Sequence, residues 1–274
     1  MDKKLLAQLF IVFFATQAIG LITAQSLLMQ GVSVTIVNED KESVENSFGL
    51  FGYILVFTAI LIVLLRILKG KRLYFILKAL EIMAVFSTTV IVFSIIGDLA
   101  GIIAGIAMVA ARIALPKNVW LRNLSSVIAG AGAGALIGIS IGVFPMIVFI
   151  ILLAAYDYIA VFKTKHMVEI AKNVAPQNMS FTYALPTKDH QFELGTGDIV
   201  IPLAFASSVL AENIQTIAPP AHVVAPILII LASFAGLFLT LEYLSKRIGM
   251  ALPALPPQTL LMLIVFGICR LAGF

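Results

Sequence analysis

The sequence predicts an all-α fold: a polytopic membrane bundle of nine transmembrane helices with its N-terminus on the cytosolic side. Composition, the spacing of apolar runs and the placement of basic residues predict it together. The 274 residues are 61% hydrophobic and 12% charged, with a mean hydropathy of +1.09; a soluble domain carries about 25% charged residues. Such a chain belongs in lipid, and 1–274 reads as one unit rather than as separate soluble domains. The single cysteine, Cys269, excludes an intrachain disulfide framework and a cysteine-rich metal site. His166, His190 and His222 lack ligand spacing, so neither a metal nor an organic cofactor is expected.

A helix needs about 20 apolar residues to cross the bilayer. The runs that qualify are 5–29, 48–68, 73–96, 99–115, 124–143, 144–162, 199–217, 223–244 and 259–274. The fourth and ninth are short, and the junction Gly142-Val143-Phe144-Pro145 between the fifth and sixth is tight. The first run is longer than a secretory h-region and no small-x-small cleavage site follows, so it reads as a retained helix. The acidic stretch after it (Asn38, Glu39, Asp40, Glu42, Glu45) reads as solvated outer surface.

Orientation follows from lysine and arginine. With the N-terminus inside, the inner connections and span ends collect every basic residue except Lys41, Lys78 and Arg270. The same asymmetry explains the pI of about 9.2, so no nucleic-acid partner is expected. The longest inner connection is 163–198. Asn123-Leu124-Ser125 and Asn178-Met179-Ser180 match glycosylation acceptors but face inward.

Gly130, Gly134, Gly138 and Gly142 recur every four residues on one face of the fifth span, and Gly101 and Gly105 do so in the fourth. Small residues at this spacing let helix backbones approach closely; a substrate-contacting groove is the alternative. Lys78 and Glu81 stand three apart and should pair. Glu212, Asn213 and Gln215 fall near the outer interface, where Arg270 can snorkel.

Two carboxylates carry the chemistry. Asp157 lies within the sixth span and Asp198 opens the seventh. An acid in hydrocarbon costs at least about 2.5–3.5 kcal/mol and marks a functional site by default. Asp157 precedes Lys163 by six residues, roughly 9 Å of helix. The chain enters the next span from the inner side, so Asp198 lies at a similar depth. Carboxyls brought close in a low dielectric share one proton, and such a pair can activate water and protonate a carbonyl oxygen. Gly195 and Gly197 flank Asp198 without Cβ atoms, which lets a substrate backbone lie close. Pro202 is expected in the first turn of that span. Either acid alone also reads as a helix–helix hydrogen-bonding residue, or for Asp198 as a helix cap.

The third element is Leu252-Pro253-Ala254-Leu255-Pro256-Pro257, directly before the last span. Its prolines argue against regular helix, and irregular backbone at this depth survives only where protein buries it or water reaches it. A simple loop breaker is the plainer reading.

Tyr156-Asp157, Gly195-Thr196-Gly197-Asp198 and Pro253-Ala254-Leu255, in this order in a nine-span frame, resemble the presenilin and signal peptide peptidase family of intramembrane aspartyl proteases. The flanks Tyr156–Val161 and Leu252–Pro256 are similar to presenilins, and Gly197–Pro202 to signal peptide peptidases. The resemblance implies Asp157 and Asp198 as the catalytic pair. It also implies that Tyr156, Gly195, Gly197, Pro253, Ala254 and Leu255 shape the site. Single-span membrane proteins or peptides in the bilayer would be the substrates, with type I-like orientation. Only 40 residues separate the aspartates, and the long segment cut in eukaryotic presenilins is absent. That implies a microbial homologue active as one uncut chain without large accessory subunits. Within the inner connection, Phe181–Leu185 and Gln191–Leu194 have strand character to which an extended substrate could pair; a mobile loop is the alternative. Rival readings are an ion- or proton-coupled transporter or channel, a prepilin-type GxGD peptidase and a non-catalytic scaffold.

Overall fold

A computed structural model describes residues 3–68, 70–164, 179–186, 191–245 and 253–274. Among them nine helices form: α1 Lys3–Met29, α2 Glu45–Ile67, α3 Gly70–Phe93, α4 Asp98–Ala114, α5 Val119–Ser140, α6 Val143–Ile159, α7 Gly197–Thr216, α8 Val224–Ser245 and α9 Leu255–Leu271. Seven reach the length and apolarity needed to cross a membrane, the sixth with its continuation to Lys163; α4 and α9 have 17 residues each. Many large apolar side chains, Phe57, Ile60, Val63, Phe75, Ile103 and Leu239 among them, are exposed. This outer surface suits contact with acyl chains. The protein is an integral multi-pass membrane protein.

Burial separates the centre of the bundle from its edge. About two-thirds (67%) of the apolar stretch of α5 and of α7 is buried, against 6% for α2. The α5 helix packs on α7, α1 and α3, α8 packs on α7 and α9, and α6 receives α2 and α9. Phe234 of α8 meets Phe10, Phe13 and Phe14 of α1 at ring separations of 5.8, 5.1 and 5.0 Å.

The glycine row of α5 is a packing device. A Cβ on Gly134 would stand 2.7 Å from the Leu203 side chain, and one on Gly138 would stand 2.3 Å from the Ala204 carbonyl oxygen. Both neighbours belong to α7, so the backbone of α7 lies directly on α5. Gly101 does the same for α4 against the Val90 carbonyl of α3, at 2.8 Å.

Inside the inner connection, β1 Thr182–Pro186 and β2 Gln191–Gly195 pair antiparallel, Thr182 opposite Gly195 and Ala184 opposite Glu193. The strand character read from the sequence is therefore real; residues 165–178 and 187–190 of the connection lie outside the described residues. Glu39, Asp40, Glu42 and Glu45 are exposed, as expected of outer surface, and the stretch is held by hydrogen bonds. The Asn46 side chain accepts from the amides of Val37 and Asn38 and donates to the Asn38 and Asp40 carbonyls. The Gly142 amide donates to Lys41 at 2.8 Å, tying the stretch to the α5–α6 junction.

Three local expectations change. Pro256 and Pro257 fall inside the first turn of α9, which begins at Leu255 rather than near 259. First-turn amides have no intrahelical acceptor, so proline costs little there. Pro202 is not in the first turn of α7 but sixth from its start, where it removes the N–H that would close on the Asp198 carbonyl. Arg112 and Arg122, counted with the inner connections and span ends, are buried within the bundle at 1% and 0% exposure.

Candidate active site

Asp157 stands on the last full turn of α6, before a π-helical turn at Ala160–Thr164. It is buried and faces the start of α9. The Leu255 amide donates to Asp157 Oδ2 at 3.2 Å, and the Ala254 amide donates to the same carboxyl. The Pro-Ala-Leu turn thus presents the orphan N–H groups of a helix N-terminus to a carboxylate, which the dipole there also favours. Pro253 and Ala254 stand directly before α9, and Leu255 lies 98 positions from Asp157 in the chain yet is joined to it directly.

Asp198 occupies the first turn of α7, half-buried. The charge of Asp157 acts on it directly, so α6 and α7 bring the two acids into one electrostatic neighbourhood. Gly195 lies alongside: a Cβ there would sit 3.5 Å from Asp198 Oδ2. A Cβ on Gly197 would meet nothing within 4 Å among the described residues. Tyr156 turns the other way. Its ring packs edge-on against Phe51 of α2 at 6.0 Å, and its hydroxyl is hydrogen-bonded to Thr58.

Gln17, which the sequence did not single out, lies beside the site, and polar clusters stand elsewhere in the bundle. Gln17 of α1, 1% exposed, donates from Nε2 to the Ile199 carbonyl at 2.9 Å, one residue past Asp198. Thr196 donates from Oγ1 to the Phe181 carbonyl at 3.0 Å, tying the approach to Asp198 to the start of β1. Glu81 is the hub of a buried ion cluster. Its Oε2 receives Lys78 at 2.7 Å, and its Oε1 receives Arg112 Nη2 at 2.6 Å and the Ser180 amide and hydroxyl at 3.0 and 2.7 Å. The expected Lys78–Glu81 pair is present, within a larger set. Near the outer face, Glu212 pairs with Arg270, whose guanidinium lies 5.0 Å from the Phe266 ring centroid. No cluster of three metal-ligating side chains occurs among the described residues.

Apolar helical spans that bring two carboxyls into one neighbourhood, one of them held by a proline-rich turn, suit a membrane-embedded aspartic hydrolase. The family described as signal-peptide peptidase, presenilin aspartyl protease matches residues 9–266, and this chain belongs to it. Among solved structures, a presenilin family intramembrane aspartate protease in one crystal form shares 23% identity at a TM-score of 0.68. A second crystal form gives 21% at 0.66, and in both cases 96% of each chain is covered. No curated protein matches. The chain is an intramembrane aspartyl protease acting on membrane-embedded substrates. The transporter, channel and prepilin-peptidase readings receive no support.

Proposed function

We propose that Asp157 and Asp198 are the catalytic pair, cutting peptide bonds within the transmembrane helices of single-span substrates. The observation that carries this reading is the electrostatic contact between the two acids, one of them held by the Ala254 and Leu255 amides. The pair holds one proton. The ionised member takes a proton from water, the resulting hydroxide adds to the scissile carbonyl carbon, and the protonated member gives its proton to the carbonyl oxygen. As the tetrahedral diol collapses and the C–N bond breaks, the protonated acid gives its proton to the leaving nitrogen while the other takes one from a diol hydroxyl, so the pair again holds one proton.

A helical substrate must unwind to expose that bond, and the hairpin supports its capture as an added strand. Both the N–H and the C=O of Ala184 are taken by the Asn123 side chain of α5, at 2.8 and 2.7 Å, so that edge of β1 is closed. In an antiparallel ladder, alternate residue pairs turn their backbone groups outward together. Opposite Ala184 and Thr182 stand Glu193 and Gly195, which present theirs along the far edge of β2. A strand added there runs beside Gly195, three residues before Asp198.

The test is cleavage of a labelled single-span peptide in proteoliposomes by the wild type and by Asp157→Asn and Asp198→Asn. Loss of cleavage in both, with melting temperatures kept, is expected. Turnover by either variant would remove that residue from the mechanism.

A further inference from the structure

The inner end of α5 holds the hairpin at more points than packing requires. Asn123 takes Ala184 at both backbone groups, a two-point contact that a neighbouring strand would otherwise make. Arg122, one residue earlier, donates to Thr182 Oγ1 on β1 and pairs with Glu193 on β2. Thr182 Oγ1 also donates to the Glu193 carboxylate at 2.5 Å. Ser126 donates to the Ser180 carbonyl at 3.2 Å, and the Tyr183 hydroxyl donates to the Ser126 carbonyl at 3.1 Å. One helix turn therefore grips both strands.

Strand pairing has a period of two, so a slip of one residue turns every outward group inward. Contacts to named backbone atoms, rather than to a face, are what forbid the slip. Asn123 is half-buried and α5 itself is fixed against α7 through Gly134 and Gly138. The clamp therefore refers the hairpin to the same helix pair that carries Asp198.

We infer that Asn123, with Arg122 and Thr182 beside it, is a specificity-determining positioning residue. By fixing the register of β1 it fixes where the β2 edge lies relative to Asp198, and so which peptide bond of the substrate is cut. The inference rests on the proteolytic reading above and adds a register to it. Asn123 touches no reacting atom. Its effect reaches the substrate through Ala184, then Glu193, then the added strand.

The experiment compares purified wild type, Asn123→Ala, Asn123→Gln, Thr182→Val and Asp198→Ala in detergent micelles. A single-span peptide is the substrate, products are mapped by mass spectrometry, and KM, kcat and melting temperature are recorded. Asn123→Ala is expected to spread cleavage to at least one neighbouring bond and to raise KM roughly three- to tenfold, the scale of losing one or two ordering hydrogen bonds. Its kcat should change less than about twofold. Asn123→Gln, which keeps the amide, should recover part of the wild-type product pattern, and Thr182→Val should spread products as Asn123→Ala does. Unchanged product ratios in both Asn123→Ala and Thr182→Val would overturn the inference. So would a fall in kcat that tracks a lower melting temperature with the same bonds cut. Asp198→Ala separates the two claims: cleavage by that variant would refute the catalytic pair, whatever the product register.

Discussion

The Leu255 amide donates to Asp157 Oδ2 at 3.2 Å, joining residues 98 positions apart. The contact is made by backbone, so side-chain replacement at 255 cannot probe it. Substituting the α-hydroxy acid of leucine at position 255 by semisynthesis keeps the side chain and deletes the N–H. A hydrogen bond to a charged group contributes about 1.5–3 kcal/mol, so kcat is expected to fall about 10- to 100-fold. Leu255→Ala, which keeps the amide, should fall by much less; equal losses would show that the side chain, not the amide, matters.

Glycines 138 and 197 should behave oppositely. A Cβ at Gly138 would stand 2.3 Å from a backbone oxygen, whereas one at Gly197 meets nothing within 4 Å. Gly138→Ala is expected to destabilise by about 1–3 kcal/mol through overpacking, read as a lower melting temperature in detergent. Gly197→Ala should melt like the wild type and lose activity through crowding of the substrate backbone.

Glu81 pairs with both Lys78 and Arg112 in the interior. Removing one partner of a buried ion pair costs about 3–5 kcal/mol because a charge is left uncompensated. Glu81→Gln should therefore lower the melting temperature sharply, and Arg112→Met added to it should restore part of the loss. A double variant no better than the single one would show that the pairing is not the cause.

The outer stretch supplies a pH dependence. Burial, then the nearby Glu212 and Asp40 charges, raises the Glu42 carboxyl above the ordinary carboxylate range, against a lowering contact from the Phe144 amide. A raised carboxyl favours the folded state while it is protonated, and that contribution is lost as pH rises through the raised value. Glu42→Gln should thus melt higher than the wild type at neutral pH and equal to it in acid. Melting curves across pH 4 to about 8 check the sign.

Gln17→Leu deletes the donor to the Ile199 carbonyl next to the helix interruption that Pro202 creates. Loss of kcat at nearly constant KM is expected, because the bond acts on Asp198 and not on substrate. A rise in KM alone would place Gln17 in substrate binding.

Sequence made the membrane bundle legible because span length and charge asymmetry are local, additive signals. It made Asp157, Asp198 and the Pro-Ala-Leu turn legible because acids and prolines are costly in hydrocarbon and so stand out. It hid Asn123, Arg122 and Gln17 for the opposite reason. A single amide or guanidinium carries no period, and Ala184 and Ile199 accept or donate through backbone atoms that every residue has. Tyr156 shows the converse: adjacency to Asp157 in the chain did not place its ring at the acid, because successive helical residues point about 100° apart.

At Gly138, where α7 rests on α5, the Ala204 carbonyl of one helix occupies the space a methyl would fill on the other. Two cylinders in such contact cannot roll past each other, so the bearing of the acid on α7 is set when the bundle assembles. On the proposed catalytic reading, adjustment of the two acids around a peptide falls to the opposite wall, where α6 is tied to α9 by peptide amides and flanked by the largely exposed α2.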